Sequence, residues 1–125
     1  MRFLDAMRAV SLDLVARGHR ATLPAPTPAG IDPATLSERE RIDLKAAFVD
    51  EHLCAIRMAD ALLVVNLDAP EGRGYVGPSA LVELAFAVAT GTRAFLLHPV
   101  GEQASRPEVL ALRPTVLHGD LSVLG

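Results

Sequence analysis

Glu83 stands six residues beyond Gly77, at the far end of a glycine-rich turn, and a carboxylate in that setting has a definite chemical use. The turn runs from Asn66 to Pro78 and contains Gly72, Gly74 and Gly77 with Pro70 and Pro78. Pro78 suits the first position of a helix, where its missing N–H would have no partner anyway, and Gly77 or Ser79 could cap that helix. Glu83 then falls in the first or second helical turn, where backbone N–H groups and the helix dipole favour an anion. An ionised carboxylate aimed from there into a cleft can serve as a nucleophile. An ordinary helix carboxylate with no chemistry is the other reading, and spacing alone does not separate them.

Other side chains with chemical potential gather on the same edge. Asn66 ends an apolar strand, where its amide can bond a ligand or brace the loop. Tyr75, the sole tyrosine, lies between Gly74 and Gly77, placed to stack on a base or bond to a ligand. His98-Pro99 closes the next strand and is either a pocket wall or a cap. Asp68 and Glu71 are a possible second carboxylate or a solvated loop. The four histidines, His19, His52, His98 and His118, lack the spacing of metal ligands, so no metal site is expected.

Ala61-Leu62-Leu63-Val64-Val65 is an unbroken apolar run, as expected of a parallel strand covered on both faces. The helix that carries Glu83 places Leu81, Leu84, Ala85 and Val88 on one face and stops at Gly91. Arg93 to Leu97 is the next strand, Ser105 to Leu112 a short helix with Pro107 in its first turn, and Thr115 to Leu117 a last strand, with Gly119-Asp120 a turn. Upstream, Met1 to Arg17 has helical spacing and Gly18 ends it, and Arg20 to Leu23 reads as a short strand. Ala25 to Thr35 is a proline- and glycine-rich loop, either a lid or a plain connector. Leu36 to Met58 is a long helix opened by a Ser37/Glu40 capping box. Ile42, Ala46, Phe48 or Val49, Leu53 and Ile56 form its buried stripe, and its charged residues a solvated face.

The run Asp60-Ala61-Leu62-Leu63-Val64-Val65-Asn66, then Gly74-Tyr75-Val76-Gly77-Pro78 leading to Glu83-Leu84-Ala85-Phe86-Ala87, resembles the nucleoside 2-deoxyribosyltransferase-like family and the related nucleotide N-glycosidases. Phe3 to Pro24 resembles that family's first helix and second strand, and Leu112 to Leu121 its closing strand, so the likeness covers nearly the whole chain. It implies a single α/β domain over residues 1–125 with a doubly wound, flavodoxin-like (Rossmann-like) parallel sheet. The family's first strand is missing, because Met1-Arg2-Phe3 resembles the residues just after it. A late-assigned start codon, true loss, or a strand from another chain would each account for this.

For chemistry, the resemblance implies that Glu83 attacks the anomeric carbon of a nucleoside or nucleoside 5′-monophosphate. Asn66, Gly74, Tyr75, Gly77, Pro78, Ser79 and His98 would surround the substrate. His52 lies near the place where the transferases carry an acidic residue that contacts sugar or base. An imidazole there could shuttle a proton to the leaving base, or could simply make a structural hydrogen bond. Gly77 occupies the position of the transferases' aspartate, which favours hydrolysis over base exchange. Such chemistry needs no metal or organic cofactor, and relatives of this kind assemble as homodimers or larger homo-oligomers. The alternative is a nucleotide-binding or sensory module of the same fold without turnover. A cytokinin-type phosphoribohydrolase fits less well, because its arginine and double-glycine signature is not in the sequence.

Composition sets the outer bounds. The chain of 125 residues is long enough for a core of its own, half apolar but with only one tyrosine and four phenylalanines. A formal charge of −3 with scattered basic residues gives no footprint for nucleic acid or an anionic membrane. Cys54 is the sole cysteine, which excludes an internal disulfide and suits a reducing cytoplasm. No stretch approaches the length of a membrane span.

Overall fold

The computed structural model describes residues 3–24 and 30–125. Three short parallel strands, β1 (Ala61–Val64), β2 (Arg93–Leu96) and β3 (Thr115–Val116), lie side by side in that order. Ala61 pairs with Arg93 and Val64 with Leu96, while Phe95 pairs with Thr115 and Leu96 with Val116. The ladder extends past the strand ends, as the Leu97 N–H donates to the Val64 carbonyl at 3.0 Å and the Leu117 N–H to the Leu96 carbonyl at 2.9 Å. The helices are α1 (Leu4–Ala16), α2 (Glu38–Met58), α3 (Pro78–Thr90) and α4 (Arg106–Ala111). This is an open, all-parallel α/β arrangement, consistent with a Rossmann-like fold.

Alternation along the strands divides the core in two. Val64, Leu96 and Val109 form one cluster with Leu84 of α3, joined by Leu62, Ala94 and Val116. Val65, Phe95, Leu97 and Leu117 form the other, covered by Ala6, Met7, Val10 and Leu14 of α1. Neighbouring residues of one strand therefore serve opposite faces, which explains the consecutive apolar residues of β1 and of residues 94–96 in β2.

The helix boundaries follow from local chemistry. Ser37 accepts the Glu40 N–H at 3.1 Å while the Glu40 carboxylate accepts the Ser37 N–H at 3.3 Å, so the expected capping box opens α2. Pro78 occupies the first position of α3, Gly77 is its N-cap, and Gly91 ends it in the left-handed region at φ 80°. At the other end of α2, the buried Thr92 hydroxyl donates to the Ile56 carbonyl at 3.0 Å and ties the helix to the start of β2.

Several expectations need correction. Arg20 to Leu23 is not a strand. A strand is held by its neighbour's ladder bonds, and among the described residues β1 pairs with β2 alone, so this segment joins no ladder. The buried stripe of α2 is shorter than its periodicity suggests: Ile56 is buried and Phe48, Val49 and Leu53 are half-buried, but Ile42 is 56% exposed and Ala46 is exposed too. On α3 the inward face is Ala80, Leu81, Leu84 and Ala87, so Ala85 and Val88 point outward. Met1-Arg2 and residues 25–29, part of the expected lid, lie outside the described residues. The last turn, Leu121–Leu124, was not anticipated; Asp120 caps it by accepting the Ser122 N–H at 3.0 Å.

Candidate active site

Two parallel-running helices bring the two expected catalytic groups together. Glu83 lies five residues beyond Pro78, about 7.5 Å down the α3 axis at 1.5 Å per residue, in the second turn. Leu84 and Ala87 fix the rotation of α3 by facing the sheet, which turns Glu83 toward α2. There Nε2 of His52 stands 3.4 Å from Oε1 of Glu83, with 18% of the histidine and 25% of the glutamate side chain exposed. The imidazole's pKa is raised above its ordinary 6.5, chiefly by the hydrogen bond to Glu83. Burial opposes that shift, and the charges of Glu83 and Glu51 add to it. A second polar contact crosses the same seam: Nζ of Lys45, seven residues before His52, donates to the Ser79 hydroxyl at 3.1 Å.

Asn66 is fully buried, and its amide is spoken for on every side. Nδ2 donates to the carbonyls of Gly74 at 3.1 Å and His98 at 2.7 Å, and Oδ1 accepts the His98 N–H at 3.0 Å. One side chain thus locks the loop after β1 to the loop after β2. Gln103 does similar work further out, accepting the Val76 N–H at 3.0 Å and donating to the Val76 carbonyl at 2.8 Å. No local pattern in the sequence could have found Gln103, which acts across 27 positions. Gly74, at φ 54°, lies so close to the Pro99 carbonyl that a side chain there would collide with it. Tyr75 is half-buried with its N–H on the Leu67 carbonyl at 2.8 Å and its ring beside Gly77.

Between these loops, at the carboxyl edge of β1 and β2, is a cleft of about 500 Å³. Leu67, Asp68, Arg73, Gly74, His98, Pro99, Val100 and Gly101 line it. The structure therefore places Gly74 and His98 in one cavity and Glu83 with His52 in a separate seam. Ser79 touches that seam, Gly77 and Pro78 join the two regions, and Asn66 lies beneath the cleft as its brace. Arg73 was not singled out by sequence, since a loop arginine between glycines carries no motif. Among the described residues, no three His, Cys, Asp or Glu side chains gather as a metal site requires, and no helix is long and apolar enough to cross a membrane.

Comparison of the chain with protein-family models, with curated proteins and with solved structures finds no match. The class defined by fold and site is thus an α/β protein with a three-stranded parallel sheet and an acid–imidazole pair between two of its helices.

Proposed function

We propose that the chain cleaves the N-glycosidic bond of a nucleoside or nucleoside 5′-monophosphate, with Glu83 as nucleophile and His52 as its proton-transfer partner. The observation that carries this reading is the 3.4 Å approach of a half-buried imidazole to the carboxylate of Glu83. A free oxygen of Glu83 forms a bond to C1′ as the C1′–N bond breaks, giving a glycosyl ester in the manner of retaining glycosidases. Esterification removes the negative charge that sustains the imidazolium, so His52 becomes more acidic and gives its proton to the departing base. Water then attacks C1′, passes a proton to the neutral imidazole and releases the sugar with the carboxylate restored. A second base in place of water would make the reaction a deoxyribosyl transfer, but Gly77 lacks the carboxylate of the resembled transferases.

The resemblance to the nucleoside 2-deoxyribosyltransferase-like family supports this reading, as does the apolar packing on both sheet faces, which suits a doubly wound sheet of flavodoxin type. A cytoplasmic homodimer or higher homo-oligomer belongs to it too, in keeping with the exposed Ile42 of α2 and Val82 and Val88 of α3.

A second reading, a nucleotide-binding module without turnover, is favoured by one observation: the loop cleft is lined by neither Glu83 nor His52. Incubation with a panel of nucleosides and 5′-monophosphates separates the two. Free base that disappears with Glu83→Gln supports the glycosidase. Binding without base release supports the module.

A further inference from the structure

The loop cleft contains Arg73, which the glycosidic reading leaves unused, beside His98, to which that reading gives no defined contact. Leu67, Pro99 and Val100 give it apolar lining, and it is lined as well by Arg73 of the loop after β1 and His98 of the loop after β2. The guanidinium of Arg73 has no ion-pair partner among the described residues, unlike Arg8, Arg17 and Arg39, which each face an aspartate. Asp68, the one acidic lining residue, accepts the Gly74 N–H at 3.0 Å, which occupies one of its oxygens.

Arg73 and His98 both project from pinned backbone. The Arg73 carbonyl accepts the Gly101 N–H at 2.8 Å, and a side chain at Gly101 would come within 2.7 Å of that carbonyl oxygen, so the two loops are in direct contact there. His98 is clamped on both its N–H and its carbonyl by the buried Asn66 amide, and its ring rests against Gly119. The backbone that carries these groups needs little further ordering to receive a ligand. A volume of about 500 Å³ is in the range of small-molecule sites, and the carboxyl edge of a parallel sheet is where such sites form.

We propose that this cleft seats the phosphate group of a phosphorylated small molecule, held by Arg73 from one wall and His98 from the other. A tetrahedral phosphate offers oxygens in several directions and can accept from both walls at once, whereas a planar carboxylate fits a single guanidinium fork. The apolar lining residues then meet the uncharged body of the ligand. The assignment stands whether or not Glu83 attacks a glycosidic bond, because neither Glu83 nor His52 lines the cleft.

Isothermal titration of the full chain with ribose 5-phosphate, inorganic phosphate, ribose and acetate, at one ionic strength, tests it. Ribose 5-phosphate and inorganic phosphate are expected to bind, ribose and acetate not. Arg73→Gln and His98→Gln should each weaken phosphate binding by about tenfold, the loss of one charge-assisted contact, and Glu83→Gln should leave it unchanged. In the unaltered chain, phosphate should shift the amide resonances of Gly74 and Gly101. Absence of phosphate binding, unchanged affinity in Arg73→Gln, tighter binding of acetate than of phosphate, or weakening by Glu83→Gln overturns the assignment.

Discussion

His52 and Glu83 meet at 3.4 Å across the seam between α2 and α3, although they are far apart in the chain and neither lies at a helix end. Their meeting depends on the Thr92 hydroxyl that anchors the last turn of α2 and on the Pro78 start that sets the phase of α3.

This pair should make stability depend on pH in a known direction. The folded-state pKa of His52 is raised above 6.5, so its contribution is fully present below the unfolded value and is lost as pH rises through the folded one. Glu83→Gln is therefore expected to lower Tm more at about pH 5.5 than at about pH 9. An NMR titration should also show the imidazole pKa falling in that variant, because burial, which lowers it, remains.

Asn66→Ala removes three hydrogen bonds, one buried and two part-buried, and takes the Asn66 partner from loop groups of Gly74 and His98. Unsatisfied buried groups are costly, and a loss of about 3 kcal/mol is expected in denaturant unfolding. Phosphate binding in the loop cleft should weaken as well, since His98 loses its clamp.

Two glycines of the same turn should respond to very different degrees. Gly74→Ala places a methyl group against the Pro99 carbonyl at φ 54°, and is expected to cost more than about 2 kcal/mol. Gly77→Ala has φ −76° and only ordinary contact with the Tyr75 ring, so it should cost less than about 1 kcal/mol. Thermal melts of the two variants side by side check the contrast.

Ser37→Ala breaks the capping box of α2 and is expected to cost about 1 kcal/mol. Because α2 carries His52, a frayed start that leaves the Thr92 anchor intact should lower Tm without changing the imidazole titration.

Much of the frame was legible because it is written locally. Pro78, Gly91 and the Ser37/Glu40 box mark helix ends by backbone chemistry that needs no partner. The apolar runs at Ala61 and Arg93 mark buried strands for the same reason. What failed was what depends on a distant neighbour. Among the described residues, Arg20 to Leu23 has strand-like residues but no ladder to join, and Ile42 keeps helical spacing yet stays exposed. Within the site, Glu83 and His52 could be singled out as reactive types, but their approach depends on the phase of two helices. The bracing by Asn66 and Gln103 depends on loops that meet only in the folded chain.

The most direct test of the central claim is a chromatographic assay for free base, with the purified chain and with Glu83→Gln, on nucleosides and their 5′-monophosphates. The glycosidic account predicts base release by the unaltered chain and a fall of at least about a hundredfold in the variant, as expected when a nucleophile is removed. Equal release by both proteins, or none from any substrate, would contradict it.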